Sequence, residues 1–171
     1  MKQLLRRFGV PFTMLIFCAL LCVYIYRLPK AVREPLPVLM YHHLVEDGQD
    51  CNDMTVTPSK LRSDLETILA LGYTPVLPRE LAAGDALPEK PILITFDDGY
   101  LSNYEYAWPI LEKYGMVATI FMVGSTTGNT EHYKDTAYPI TPHFSYEQGA
   151  EMVASGVISL QSHTYDMHQW G

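Results

Sequence analysis

The sequence predicts an α/β fold with parallel strands, as a sheet or a barrel, and three observations carry that prediction. Short apolar runs of strand length alternate with longer amphipathic segments. The runs "PILITF" (91–96) and "VATIFMV" (117–123) are continuously apolar and rich in β-branched residues, as strands buried on both faces are. Several runs end in titratable residues, which parallel strands would gather on one face of the sheet.

The elements follow in order. Met1 to Arg7 is a basic head with Lys2, Arg6 and Arg7, and Phe8 to Tyr26 then carries no charge. That stretch has the length of a membrane span, about 20 apolar residues. Tyr24 and Tyr26 stand where an interfacial aromatic belt would lie. One transmembrane helix over 8–26 is expected, with 1–7 in the cytoplasm and the rest exported. A cleaved signal peptide is the rival reading, but the bulky Tyr24-Ile25-Tyr26-Arg27 offers no small-x-small site. Residues 27–37, "RLPKAVREPLP", read as a linker, and 38–171 as the domain.

Within the domain, "VLMY" (38–41) is a strand. Residues 57–72 are a helix, with Thr57 as N-cap, Pro58 in the first turn, Leu61, Leu65, Ile68 and Leu69 on one face, and Gly72 as the stop. "YTPV" (73–76) is a brief strand and 91–96 the next. Residues 102–115 are helical, with a kink or a new start at Pro109 and a stop at Gly115. After the strand 117–123 comes a long connection, Gly124 to Phe144. Connections of that length are binding loops or disordered, and Tyr133 and Tyr138 make a substrate wall one option and a mobile surface loop the other. Ser145 and Gln148 form a capping box opening the helix 145–156, and "VISLQSH" (157–163) is the last strand.

Composition narrows the function classes. The 171 residues suit one ordinary domain, and the net charge of −7 argues against a general nucleic-acid binder. Cys18 and Cys22 lie in the apolar stretch and Cys51 stands outside it. No disulfide within the domain and no CxxC metal knuckle is therefore expected.

The chemistry sits at the strand ends: Tyr41-His42-His43, Asp97-Asp98-Gly99 and Ser162-His163-Thr164. Alone, each is an ordinary polar turn. Together on one sheet face they suggest a site. Asp97 and Asp98 are adjacent, so they tend to point different ways and to take different jobs. That spacing does not suit a two-carboxylate glycosidase or an EF-hand loop. His163 and His168, five apart in "HTYDMH", can wrap one ion with a carboxylate as third ligand. Such a three-ligand site leaves a position open, as catalytic zinc sites do. The implied chemistry is metal-assisted hydrolysis of an ester or amide. There is no Gly-x-Ser-x-Gly elbow for a serine nucleophile and no phosphate-cradling glycine loop.

"TFDDGY" followed by "SHTYDMH", with "VLMYHHL" ahead of them, resembles the polysaccharide deacetylases of carbohydrate esterase family 4, the NodB homology domain. The resemblance covers roughly residues 36–171. It implies the N-terminal portion of a distorted (β/α) barrel and removal of N-acetyl groups from polymers containing N-acetylglucosamine. It implies Asp97 as general base, a divalent ion (most often zinc) on Asp98, His163 and His168, and the Tyr100 backbone N–H as an oxyanion donor. Thr164 would stabilise the histidine loop. The five-residue histidine spacing resembles the branch acting on poly-β-1,6-N-acetylglucosamine, with xylan or peptidoglycan sugars as alternative substrates. As a strand-end pair, His42 and His43 are candidates to line the pocket, and the resemblance makes neither a ligand. His132 and His143, in the long connection, are expected to be solvated. A full barrel takes at least about 200 residues, and the family's acid histidine and acetyl pocket come from later motifs. A fragment or truncated product is therefore expected, possessing half an active site, with an inactive glycan-binding form as the rival. Residues 157–163 would be an open sheet edge.

Overall fold

A computed structural model of the chain describes residues 12–27, 35–84, 86–133 and 135–167. It divides into two compact units, Met1–Pro35 and Leu36–Gly171. The described part of the first is helix α1, Phe12–Arg27. Its apolar side chains are exposed all round, from Met14 to Tyr26. The expected transmembrane helix is not supported. The 16 residues of α1 rise about 24 Å at 1.5 Å per residue, short of a hydrocarbon core of about 30 Å. Among the described residues no helix is long and apolar enough to cross a membrane. Residues 8–11 of the expected span and 28–34 of the expected linker lie outside the described residues.

The second unit opens with β1 (Val38–Tyr41), β2 (His43–Leu44) and β3 (Thr55–Val56), then α2 (Pro58–Ala70), β4 (Thr74–Pro75) and α3 (Pro78–Ala83). It continues with β5 (Pro91–Asp98), a π-helical turn (Asn103–Ala107), α4 (Trp108–Tyr114), β6 (Ala118–Val123), α5 (Tyr146–Ala154) and β7 (Ile158–Thr164). The main sheet runs β1-β5-β6-β7, with β4 on the start of β5, and every pairing is parallel. Strands β2 and β3 form a separate parallel pair.

Local chemistry explains the helix ends. The Lys60 N–H donates to Thr57 Oγ1 at 3.2 Å, with Pro58 in the first turn where its missing N–H costs nothing. The capping box closes as expected: Ser145 N–H donates to Gln148 Oε1 at 2.8 Å and Gln148 N–H to Ser145 Oγ at 3.3 Å. Pro109 lies in the first turn of α4, and the turn before it is π-helical, the Trp108 N–H reaching back to Asn103 O. Leu61, Leu65 and Ile68 are buried, but Leu69 is 49% exposed, because the apolar stripe of α2 is narrower than its leucines suggest.

The core lies between the helices and one face of the sheet: Leu61 and Leu65 from α2, Ile94 and Phe96 from β5, Leu111 from α4, Ile120 from β6 and Met152 from α5. Tyr41 stacks on Phe96 at 5.2 Å between ring centres, and its phenol donates to Asp64 Oδ2 at 3.1 Å. Burial beside that carboxylate drives the Tyr41 pKa above the ordinary phenol range. Burial on both faces holds only for the central strands, where Thr95 and Thr119 are buried as well. Val38 and Met40 of β1 are exposed, and so is Gln161 of β7. These two strands end the pairing order among the described residues, so the expectation of double burial is corrected there.

Candidate active site

The strand register brings the predicted residues together. β5 extends through both aspartates, pairing Asp97 with Phe121 and Asp98 with Met122. Met122 pairs in turn with Ser162, but Val123 pairs with Thr164, so His163 is an extra residue that bulges from β7. The bulge re-aims its side chain, and His163 Nε2 comes within 3.8 Å of Asp98 Oδ1 over the end of β6. Two ligands each about 2.0–2.2 Å from a shared ion stand roughly 3–4 Å apart. The spacing of the carboxylate–imidazole pair therefore fits one divalent ion.

The third expected ligand, His168, lies outside the described residues. Among the described residues no three His, Cys, Asp or Glu side chains converge as a complete metal site. The approach to His168 is ordered by Thr164, whose Oγ1 accepts the Met167 N–H at 3.2 Å. Gly124 and Ser125 N–H groups hold Thr164 O and Tyr165 O at 3.0 and 2.7 Å.

The aspartate turn is unusual in its backbone. Asp98 has φ 71° and Gly99 φ 83°, two left-handed residues in a row. Asp98 thus departs from strand geometry, and side-chain alternation along β5 stops at Asp97. Gly99 is required twice over. Beyond its φ, an added Cβ would stand 3.1 Å from Met122 Cβ and 3.4 Å from the Phe144 ring.

Tyr100 pairs antiparallel with His143. The bonds of that pair run from Leu101 N–H to Pro142 O (2.7 Å) and from Phe144 N–H to Gly99 O (3.2 Å). Such a pair points the N–H of its central residue away from the partner strand. The Tyr100 N–H is accordingly unused in the backbone bonding of the described residues and faces away from 142–144. Burial, with the Asp98 carboxylate nearby, pushes the pKa of the Tyr100 phenol up to about 12.

The long connection is built rather than loose. His143 N–H donates to Asn129 O (2.9 Å) and Gly128 N–H to Phe144 O (3.0 Å), while Tyr133 N–H donates to Tyr138 O (3.0 Å). His132 is exposed as expected, but His143 is only 5% exposed, and the expectation that it is solvated is wrong. Its Nδ1 lies 2.7 Å from Thr141 O, which fixes the proton on Nδ1, and its ring centre is 4.9 Å from that of Tyr100. Burial lowers its pKa, opposed in part by Thr141 O and Asp98.

The two histidines after β1 part company. His43 Nδ1 shares a 2.8 Å hydrogen bond with Ser102 Oγ, its ring lies 5.1 Å from Tyr100, and burial lowers its pKa. It lines a cavity of about 220 Å³ with Glu46, Ser102, Glu105, Tyr106 and Pro142. His42 follows Tyr41, whose pairing with Phe96 is the last between β1 and β5. The buried Asn103 donates from Nδ2 to His42 O at 2.8 Å and fixes that end of the strand. The signal for this pair was the strand-end position itself.

Residues 84–171 match the polysaccharide deacetylase family. The Bacillus subtilis protein YxkH is 39% identical over 135 residues, covering 77% of this chain and 43% of YxkH. The poly-beta-1,6-N-acetyl-D-glucosamine N-deacetylase of Escherichia coli is 29% identical over 138 residues, covering 76% of this chain and 20% of that protein. The solved structure of IcaB from Ammonifex degensii aligns with a TM-score of 0.66 at 32% identity, over 80% of this chain and 55% of that one. The chain thus spans 43% and 20% of the lengths of these two curated relatives.

Proposed function

Because the chain belongs to the polysaccharide deacetylase family, we propose that it carries the metal-binding and base residues of a site that hydrolyses N-acetyl groups from a polymer containing N-acetylglucosamine. The observation that carries this reading is the convergence of Asp98 Oδ1 and His163 Nε2, 3.8 Å apart at the carboxyl ends of parallel strands. His168 would complete the set. The β-1,6-linked polymer is the substrate favoured, supported by the name of the E. coli relative.

A divalent ion held there, zinc in this reading, supplies a water of lowered pKa and polarises the acyl oxygen. The chain's own residues do the rest. Asp97, beside the ligand Asp98, takes the proton of the attacking water as its oxygen bonds to the amide carbon. The Tyr100 N–H, directed away from residues 142–144, donates to the oxygen that gains charge. The C–N bond then breaks, leaving acetate and a free amine that needs a proton. The proton that Asp97 took is available to that amine, and the resemblance expects an acid histidine for this transfer from later motifs. His43 and His143 are already engaged with Ser102 and Thr141.

The same reading places the domain outside the cytoplasm, in the cell envelope. Its support is the basic head of residues 1–7 ahead of the uncharged 8–26, an export-type pattern. Protease added to intact cells should cleave the domain; full protection would count against export.

Zinc binding by equilibrium dialysis, with acetate release from β-1,6-linked N-acetylglucosamine oligomers, tests the assignment. Stoichiometric zinc is expected, with loss on Asp98→Ala or His163→Ala. Retention of stoichiometric zinc by either variant would refute the ligand set. Zinc binding without acetate release would favour a glycan-binding role, and release from acetylated xylan alone would move the substrate class.

A further inference from the structure

We propose that the cavity beside the aspartate turn is a second sugar subsite, which takes a neighbouring unit of the same polymer whose amine is already free, and that Glu46 and Glu105 select that unit as an ammonium. The inference rests on the reading of the site as one that acts on a polymer of N-acetylglucosamine. It deepens that reading by naming a unit the chain binds without hydrolysing it.

The topology sets this cavity next to the reacting centre. Its lining comes from the segment 43–49, which follows β1, from 101–106, which follows β5, and from Pro142 of the long connection. β1 and β5 are parallel neighbours, and ligands of α/β sheets gather at the carboxyl ends of such strands. The strand order is β1-β5-β6-β7. Asp98 ends β5 and His163 stands near the end of β7. The proposed metal pair thus lies on one side of the β5 end and the cavity on the other. A linear polymer crossing this face along the strand order meets both. Tyr100 stands between them in the chain, its ring centre 5.1 Å from that of His43 in the cavity wall.

The walls are fixed before a ligand enters. Ser102 is 4% exposed, and its Oγ accepts the Leu44 N–H at 2.9 Å and shares the 2.8 Å bond with His43 Nδ1. Leu101 N–H donates to Pro142 O at 2.7 Å, tying the long connection to the 101–106 segment. The volume of about 220 Å³ is several times the ~30 Å³ that a water occupies in the liquid. It suits one sugar ring rather than a bare ion. Leu44, Leu101 and Pro142 offer apolar surface to the C–H faces of such a ring. Glu46 and Glu105 line the same cavity, both are exposed, and no Lys or Arg lines it with them. Among the described residues neither carboxylate is in an ion pair. Two carboxylates without a cation favour a positive ligand. A neutral acetamide gains nothing from them, whereas the ammonium left when the C–N bond breaks supplies both charge and N–H donors. Each turnover at the neighbouring centre therefore makes the group that this cavity recognises.

The test uses the full chain and reads binding rather than turnover. β-1,6-linked tetramers of glucosamine and of N-acetylglucosamine are titrated into the metal-free chain by calorimetry at about pH 7, where carboxylates are ionised and a sugar amine is mostly an ammonium. The glucosamine tetramer should bind about 3- to 10-fold tighter, and added salt should narrow the gap. Glu46→Gln combined with Glu105→Gln should bring the two affinities together, with the far-UV circular dichroism of the wild type. Glu112→Gln, at an exposed position of α4 outside the lining, should leave the gap as it is. Equal affinities in the wild type, an unchanged gap in the double variant, or the same narrowing in Glu112→Gln each overturn the inference. Zinc binding on the same samples decides the metal reading separately, because neither glutamate belongs to that ligand set. Zinc retained without an amine preference removes the subsite alone. A chain that binds neither tetramer overturns the subsite and the polymer reading together.

Discussion

Replacing Gly99 with alanine tests the account of the aspartate turn. At φ 83° a Cβ-bearing residue loses about 1–2 kcal/mol to the left-handed backbone. The new Cβ would also stand 3.1 Å from Met122 Cβ, inside the ordinary carbon contact of about 3.5–4.0 Å. That neighbour cannot rotate away, because Met122 is paired in the ladder between Asp98 and Ser162. The Phe144 ring, 3.4 Å from the same point, closes the other side. Overpacking of this kind costs about 1–3 kcal/mol. The lower entropy of the unfolded alanine chain returns about 0.4–1 kcal/mol. The net destabilisation is on the order of 2–4 kcal/mol, a large share of the roughly 5–15 kcal/mol typical of a domain. Urea unfolding followed by circular dichroism should show a lower midpoint at unchanged slope. A loss below about 0.5 kcal/mol would mean that the turn relaxes freely, and the argument for its geometry would fail.

Other perturbations have separate readouts. Gly124→Ala sets a Cβ 2.8 Å from the Tyr165 ring, but that ring is 75% exposed and can swing. Urea unfolding should therefore show a cost below about 1 kcal/mol, and a cost above 2 would contradict the expected freedom of Tyr165. Leu111→Ala, at a fully buried position, should cost about 2–5 kcal/mol in the same assay. Ser145→Ala removes the acceptor of the Gln148 N–H and should cost about 1 kcal/mol. His143 faces Tyr100, Asp98 and His43, and burial holds its pKa below the ordinary value of about 6.5. As pH falls below that value, the unfolded chain takes up a proton that the native imidazole refuses. Its contribution is thus complete above about 6.5 and lost as pH falls towards the native pKa. Melting temperatures of the metal-free chain from pH 8 to 5 should fall less steeply for His143→Phe than for wild type, and identical slopes would exclude a role for His143.

What could be read from the sequence is what local chemistry decides. Thr57-Pro58 and Ser145 with Gln148 specify their helix starts whatever surrounds them. The continuous apolar runs specify the central strands, and their polar ends point to the site. Long-range pairing was hidden. His143 looked solvated because nothing near it in the chain buries it; its cover comes from the turn at Gly99–Leu101, far upstream. Leu69 carries the residue type of a core position but sits at the rim of its helix stripe. The apolar run of 8–26 suggested a full span, since hydropathy reports composition; the described helix runs Phe12–Arg27. The contact between Asp98 and His163 needed both the register across β6 and the bulge, neither of which is written in adjacent residues.

That bulge has an effect beyond aiming one imidazole. A strand keeps a two-beat rhythm, and one unpaired residue shifts the beat for everything after it. Thr164 sits where an uninterrupted strand would have put His163, as its pairing with Val123 records. The bulged residue is the proposed ligand itself: deleting His163 would leave Thr164 paired with Val123 in a regular ladder, whereas a histidine kept in an unbulged strand would take that pairing in place of Thr164. A transplant of this site onto another parallel sheet must therefore carry the slipped beat along with the histidines, or the ligands will arrive on the wrong side.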